Sequence, residues 1–473
     1  MSDQSLAQRL EEYSRTPTRS YHMPGHKRRA LHSPALPWAL DITEIHGFDD
    51  LHDAQGLLAE SMARAAALWG AKRSWYLVNG SSGGILAALH AALPRGSALL
   101  AARNCHKSIY HGLELLDLAP VYLQPQVDPA FGVAGPLTVD GVESALDRYP
   151  FVRALMLPSP SYDGVLSDLP ALCELCHSRD VAVIVDSAHG AHLGFGPFPA
   201  GAVAAGADVV VQSLHKTLPS LTQTAILHWQ GDLVDPRRLA RSLNIFQSSS
   251  PSYPLMASMD GCTRLLEQTG DRLFEDWMAA IRAFDEKIMG LRHLKVLCHG
   301  RDKLEHHSFY GYDPSKIVIS TRGAGLTGPA LMERLREEFG LVLEMAATDY
   351  VTAMTGLGTD VEDLSALAEA LLAVDAGLTA GEAPPAPAAP AVPKRVLPAG
   401  EALDRPTEVL PLEAATGRVA AEYLWAYPPG IPLLVPGEEI GPGFPALAAR
   451  YADSGIALKH TGGAPQGSVL VCR

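Results

Sequence analysis

Cysteine is scarce in this sequence. Cys105, Cys173, Cys176, Cys262, Cys298 and Cys472 are dispersed over 473 residues. That spacing speaks against a disulfide-stapled scaffold and fits a reducing compartment. Cys173 and Cys176 form a single CxxC with no second pair and no histidines at matching spacing. They therefore read as helix and core residues, and no metal is expected there. Long apolar runs are missing too. None can cross a bilayer, and the opening MSDQSLAQRLEEYSRTPTR has no apolar signal core. A cytoplasmic protein without a membrane partner is expected. Basic charge is also in deficit: 38 Lys and Arg stand against 52 Asp and Glu, a net charge of −14. Nucleic acid is thereby excluded as the main partner, because phosphate binding needs a basic face. An acidic chain is compatible with a cationic substrate.

What remains is a globular composition, 47% hydrophobic and 19% charged, at a length that suits two or three domains. There is no internal repeat. The chain is organised around residues 181–229, where VAVIVDSAHGAH is followed by ADVVVQSLHKTLPSLTQTAILHW. Val181–Val185 and Val209–Val211 are short, continuous apolar runs, as buried strands of a parallel sheet are. The first delivers Asp186 and His189; the second delivers Ser213, His215 and Lys216. Ligands of open α/β sheets sit beyond the carboxyl ends of the strands. A lysine there, partly desolvated, is a candidate Schiff-base amine. Asp186 would be the acidic partner of a protonated pyridine nitrogen, and Ser213 could reach a phosphate. These residues point to a pyridoxal-phosphate (PLP) site.

Upstream, Leu6, Leu10 and Tyr13 suggest a helix stripe in an N-terminal arm, residues 1–40. His22, His26, Lys27, Arg28 and Arg29 surround a Pro-Gly turn and read as a solvated basic loop. The acid- and histidine-rich stretch DITEIHGFDDLHDAQG (41–56) matches neither HExxH nor an EF-hand loop, so a polar turn is expected. A helix follows over Leu57–Trp69. Strand Ser74–Val78 leads through NGSSGG into the helical run ILAALHAAL. Strand, small-residue turn, helix is a phosphate-binding geometry, with Ser81 and Ser82 as donors; a plain helix cap is the equal alternative. The stretch is neither a Walker A loop nor GxGxxG. Strand Ala98–Ala102 brings His106 to another carboxyl end, where its ring could stack on a flat cofactor. Strand Arg153–Leu157 and helix Leu169–His177 complete an alternation typical of a parallel, doubly wound sheet.

Beyond Trp229, residues 244–259 read as a polar loop and 260–290 as a long helix. Lys316–Thr321 reads as a strand, with helices at Gly328–Glu338 and Val361–Val374. The Pro/Ala-rich stretch 381–400 reads as a linker, and 401–473 as a last unit.

The chain resembles the Orn/Lys/Arg decarboxylase family. The carrying pieces are HMPGHK (22–27), DITEIHGFDDLHDAQG (41–56), YLVNGSSGGILA (76–87), NCHKSIYHG (104–112), DSAHGAH (186–192), SLHK (213–216), SSSPSYPLMAS (248–258) and YPPGIPLLVPGE (427–438). In this order they are highly specific. The resemblance implies an α/β fold of the PLP-dependent transferase type (fold type I). A major domain with a mostly parallel sheet would span 41–260. A small α+β domain would span 261–380 and a C-terminal α+β domain 401–473. It resembles the shorter bacterial members, which lack an N-terminal wing domain.

The resemblance also implies roles. Lys216 would carry PLP as a Schiff base, Asp186 would hold the ring nitrogen, and His106 would stack on the ring. Ser81, Ser82, Ser213 and His215 would surround the phosphate and the lysine, and His189 would flank the ring. One of Ser248, Ser249 and Ser250, with Ser249 at the centre of the three, would reach the phosphate of a neighbouring subunit, making a homodimer or dimer of dimers. His215 or Lys216 would return a proton to the substrate carbon. The expected reaction is decarboxylation of arginine, then lysine, then ornithine in order of preference. An aminotransferase or cyclase is the first alternative, with Arg322 as the nearest carboxylate-holding candidate. A metal hydrolase built on Asp186, His189 and His192 is the second, and a non-catalytic scaffold the third.

Overall fold

The computed structural model describes residues 4–16, 37–381, 391–426, 430–453 and 455–473. The chain begins with helix α1 (Leu6–Ser14), α2 (Leu57–Trp69), strand β1 (Arg73–Leu77) and α3 (Gly80–Ala92). Next come β2 (Ala98–Ala102), α4 (Lys107–Leu115), β3 (Ala119–Leu123), α5 (Val139–Arg148), β4 (Ala154–Pro158) and β5 (Val165–Leu166). Helix α6 (Leu169–His177) leads to β6 (Ala182–Asp186), β7 (Val209–Ser213), α7 (Leu214–Thr217) and β8 (Ala225–Trp229). Helices α8 (Pro236–Phe246) and α9 (Tyr253–Lys287) follow.

A second group comprises β9 (Lys295–Val296), β10 (Gly311–Tyr312), β11 (Lys316–Ser320), α10 (Gly328–Phe339), β12 (Met345–Ala346), β13 (Tyr350–Met354) and α11 (Val361–Ala376). The chain ends in α12 (Ala399–Asp404), β14 (Thr407–Pro411), β15 (Leu424–Ala426), β16 (Ile431–Leu434), α13 (Phe444–Asp453), β17 (Leu458–His460) and β18 (Ser468–Cys472).

Two compact units result. The first holds described residues up to Ala92, Cys176–Glu275 and Gly356–Gly358; the second holds Leu93–Leu175, Asp276–Thr355 and Thr359–Arg473. In the first unit the strand order is β1-β8-β7-β6. β6 and β7 are parallel, and β8 runs antiparallel to both β7 and β1. Strands β6 and β7 are buried throughout, as their unbroken apolar runs require.

In the second unit β4, β2 and β3 are parallel. β3 went unread because its sequence, APVYL, carries Pro120 and is half-buried. Both features are explained by its place at the sheet's end, where a missing N–H is tolerated. The same unit contains the antiparallel sheet β12-β13-β11-β9 and the C-terminal strands, which close on Leu424, Leu434, Ile440, Phe444, Val469 and Val471. None of the six cysteines is in a disulfide, and Cys173 and Cys176 are buried as expected.

The expected polar loop 244–259 shrinks to 247–252. Helix α8 is capped by Asp235, whose side chain accepts the Arg237 N–H, and starts on Pro236. It buries Leu239, Ser242 and Leu243 and continues to Phe246. Helix α9 already begins at Tyr253, with Pro254 in its first turn. Proline there removes an N–H that has no intrahelical partner anyway, so it starts helices as well as ending them.

In the second unit, one buried histidine joins two loops. His307 lies between Asp128 (Nδ1–Oδ2, 2.8 Å) and Asp302 (Nε2–Oδ2, 2.7 Å) and stacks on Phe309. With Cys298, His307 and Asp302 form the one Cys/His/Asp cluster of metal-binding size among the described residues. Both ring nitrogens are already engaged by carboxylates. Burial opposes charging of the ring, but the hydrogen bonds to Asp128 and Asp302 outweigh it and raise the His307 pKa. A raised folded-state pKa gives stability that is complete below the unfolded value and is lost as pH rises through the folded one. His307→Gln is therefore expected to lower Tm more at about pH 6 than at about pH 9, since unfolded histidine titrates near 6.5. Equal losses at both pH values, read by thermal unfolding, would remove the imidazolium from the account.

Candidate active site

The register of β6 on β7 builds the site in the first unit. Asp186, the last residue of β6, pairs with Val211. Two residues later β7 ends at Ser213, and the chain turns at once into α7, which carries His215 and Lys216. The acid, the hydroxyl and the amine are thus delivered to one strand edge. His189 arrives from the turn after β6, and its Nε2 lies 2.9 Å from Lys216 Nζ.

Asp186 is buried and accepts the Ala188 N–H at 3.1 Å. Burial pushes its carboxyl up, and the charge of Lys216 pulls it partly back. Ser213 Oγ is buried and meets no hydrogen-bond partner among the described residues. His215 Nδ1 lies 2.8 Å from the Thr224 carbonyl. That oxygen can only accept, so Nδ1 carries the proton and Nε2 keeps its lone pair in the neutral ring. Burial, aided by Lys216 and opposed by the Thr224 bond, holds His215 below the ordinary imidazole range.

Helix α3 begins at Gly80 rather than after the glycines, so Ser81 and Ser82 lie in its first turn with their N–H groups at the helix N-terminus. Ser82 is exposed. Gly84 lets the helix approach the sheet: a Cβ there would lie 2.5 Å from Leu77 Cδ1 and 2.9 Å from Val211 Cγ1. Gln223, just past Lys216, donates to the Val78 carbonyl ahead of the helix. The helix terminus and the lysine turn are thereby tied together.

His106 belongs to the second unit. It caps α4, and its Nδ1 accepts the Ser108 N–H at 3.3 Å and faces the Ser108 hydroxyl at 2.9 Å. Ser248, Ser249 and Ser250 are exposed. The Ser248 hydroxyl donates to the Ser250 carbonyl at 3.3 Å, and the Ser248 carbonyl accepts from His52 Nε2 at 2.8 Å.

The acid-rich loop 41–56 is a backbone nest rather than a metal site. Asp49, at φ +68°, gathers N–H groups with both carboxylate oxygens. Oδ1 accepts from Asp50 and Gln55, each at 3.0 Å, and Oδ2 accepts from Gly56 and Leu58, each at 2.9 Å. Burial raises its carboxyl, but these four bonds prevail and its pKa is lowered. The Asp186/His189/His192 metal site does not form: no such group gathers among the described residues, and His192 packs edge-on against Phe198. The basic patch of His22, His26, Lys27, Arg28 and Arg29 lies outside the described residues.

One supporting chain escaped the sequence reading. Ser74 Oγ meets His228 Nδ1 at 2.7 Å, His228 Nε2 meets Gln212 Oε1 at 3.1 Å, and Gln212 Nε2 donates to the Gly190 carbonyl at 3.2 Å. Burial lowers the His228 pKa to about 3, so the ring is neutral. The amide of Gln212 fixes its tautomer: Nε2–H donates and Nδ1 accepts from Ser74. This chain props the turn that carries His189. Its signal was present as two polar residues, Gln212 and His228, inside apolar strands.

Residues 5–360 match the model of the Orn/Lys/Arg decarboxylase major domain, and residues 391–449 match that of the C-terminal domain. The chain belongs to the Orn/Lys/Arg decarboxylase family. It is 33% identical to an arginine decarboxylase of Halalkalibacterium halodurans over 431 residues, 89% of this chain and 87% of the relative. An arginine decarboxylase of Bacillus subtilis is 31% identical over 457 residues, 94% of this chain and 93% of the relative. Among solved structures, Francisella novicida lysine decarboxylase LdcF matches with a TM-score of 0.82 at 19% identity, covering 99% of this chain and 81% of that one. The ureidoglycine-glyoxylate aminotransferase of Bacillus subtilis shares the fold more distantly, at a TM-score of 0.53 and 15% identity, over 69% of this chain and 87% of its own. The expected fold class and the expected decarboxylase class are thus both met.

Asp49→Asn keeps a residue that tolerates positive φ but leaves one accepting oxygen and turns an NH₂ toward N–H donors. It should cost about 2 kcal/mol, the scale of hydrogen bonds to a charged group. Urea unfolding checks this, and an unchanged midpoint would show that water replaces the nest.

Proposed function

We propose that this decarboxylase uses PLP, takes arginine ahead of lysine and ornithine, and works in the cytoplasm as a homodimer with shared sites. The observation that carries the cofactor reading is the cluster of Lys216, His189 and buried Asp186 at the adjoining carboxyl ends of β6 and β7.

The residues fit the group. A buried acid whose carboxyl burial pushes up is suited to a cationic ring N–H. The unpartnered Ser213 hydroxyl and the N-terminus of α3 with Ser81 and Ser82 suit a phosphate. Lys216 would hold the cofactor through Nζ, with His106 and His189 flanking the ring and His215 beside the lysine. When bound, PLP supplies a protonated aromatic ring that accepts the electron pair left as CO₂ departs.

The chain's own residues do the rest. Asp186 keeps its negative charge where the ring proton must stay. His189 Nε2 orients the Lys216 amine. The substrate carbon then needs a proton. Neutral His215, its Nδ1–H committed to Thr224, offers a lone pair rather than a proton at Nε2. Lys216 Nζ carries protons in either ionisation state and is the better donor.

An aminotransferase would need an arginine to hold the substrate carboxylate. Arg322 is engaged with Asp349 through Nη1 and Oδ2, which disfavours that alternative. No helix among the described residues is long and apolar enough to cross a membrane. Arginine leads the substrate order because four relatives at 31–33% identity over most of the chain carry the name arginine decarboxylase.

Borohydride reduction and peptide mapping should place the pyridoxyl label on Lys216, and Lys216→Ala should lose both label and turnover. A label on another lysine would overturn the assignment. Asp186→Asn should retain the cofactor's visible absorbance yet lose most of kcat, by about 3–5 kcal/mol if it behaves as other broken buried charge pairs do. Near-normal turnover would refute its role. For the shared site, Lys216→Ala protein is mixed with a variant lacking the hydroxyls of Ser248, Ser249 and Ser250. Activity should reappear after subunit exchange. Verified exchange without activity would overturn the shared site.

A further inference from the structure

The turn that presents His106 is held by the C-terminal segment of the chain. Arg103, immediately after β2, is buried, and both of its terminal nitrogens are engaged. Its Nη2 donates to both carboxylate oxygens of Glu438, at 3.3 and 3.0 Å. Its Nη1 donates to the Tyr110 hydroxyl at 2.7 Å and to the Pro432 carbonyl at 3.0 Å. The guanidinium also lies over the rings of Tyr110 and Tyr122, 5.3 and 5.0 Å from their centroids. The loop is closed on itself: the Tyr110 hydroxyl donates to the Arg103 carbonyl at 2.6 Å.

The far side of the turn is gripped as well. The Tyr423 hydroxyl meets Glu114 Oε2 on α4 at 2.9 Å. The ammonium of Lys107, the residue after His106, sits over the Trp425 ring at 5.3 Å.

A buried ion pair is a poor source of net stability, because desolvating both charges offsets their attraction. It is a good source of geometry, since a planar guanidinium accepts few arrangements of its partners. Here the partners are the Pro432 carbonyl from β16 and Glu438 from the segment after it, and the object fixed is a turn of four residues, Arg103–His106. We propose that Arg103, clamped by Glu438 and Pro432, is a positioning residue for His106, so that the C-terminal segment sets the orientation of the imidazole assigned to the cofactor ring. This rests on the PLP reading of His106 given above.

The test compares Glu438→Gln with Val469→Ala, a control that loosens the C-terminal core away from Arg103, and both are made in the full-length chain. Hydrogen–deuterium exchange is read on peptides spanning residues 103–110, without added cofactor. Glu438→Gln should accelerate exchange there at least tenfold, and Val469→Ala should not. With PLP and arginine, Glu438→Gln should lower kcat at least tenfold, leave KM within twofold, and alter the visible circular dichroism of bound PLP. Val469→Ala should lower Tm yet leave kcat and dichroism unchanged.

Unchanged exchange in 103–110, or wild-type kcat and dichroism in folded Glu438→Gln, would overturn the proposal. Should Glu438→Gln fail to fold, Tyr423→Phe, which loosens α4 without unpairing a charge, is read by the same criteria. If the wild-type enzyme neither bound PLP nor released CO₂, the functional reading would fail, while the exchange data would still decide whether the clamp exists.

Discussion

The parallel pairing of β6 with β7 is the constraint on which the site depends. Parallel strands end on the same side of a sheet, and the register of Asp186 with Val211 sets how far one strand outruns the other. A one-residue slip would turn Asp186 to the opposite face and separate it from Lys216. The register is protected by burial. Every residue of both strands is enclosed, so a slip would expose no alternative apolar face but would leave Asp186 and Ser213 in new, unmatched surroundings. The Ser74–His228–Gln212–Gly190 chain adds a polar lock across β1, β8 and β7, each member satisfied in one direction only.

Polar groups in this structure are buried in two ways. Some form closed sets, such as Arg103 with Glu438 and His307 with its two carboxylates. Burial pushes the Glu438 carboxyl up to about 6 even beside Arg103, which shows how much solvation the pair forfeits. Others are left partly open. Ser213 Oγ is unpartnered among the described residues, and Asp186 Oδ1 accepts the Ala188 N–H. Closed sets belong to the frame, and open ones belong where a ligand completes them.

Much of this was legible in the sequence, for identifiable reasons. β6 and β7 announced themselves as short apolar runs bounded by polar residues, and β2 and α6 lay where periodicity put them, because their burial is one-sided or complete. Asp186, His189 and Lys216 were legible because reactive residue types followed those runs directly. The failures have physical causes. Pro254 falls in the stretch that reads as a polar loop although it sits in the first turn of α9. β3 hid behind Pro120. Arg103 gave no signal, because its partners Glu438 and Pro432 lie more than three hundred residues away and only folding brings them together. The Asp49 nest was also invisible as such, since its partners are backbone N–H groups that no sequence pattern displays.

The reversed direction of β8 has a consequence for how the lysine is held. A parallel return after β7 would have needed a helical crossover, leaving Lys216 on a chain tethered at one end. Because β8 comes back beside β7, the connection Leu214–Thr224 leaves and re-enters the sheet at one edge, and Ser213 pairs with Ala225 across its base. Contacts this close in sequence cost little loop entropy and can form before distant segments meet. β1, which pairs with β8 from far earlier in the chain, must arrive later to bring the helix terminus of α3. The order of assembly favoured by this topology is the Lys216 turn first and the N-terminus of α3 second, so a partly folded chain would present the amine before the helix end that stands beside it.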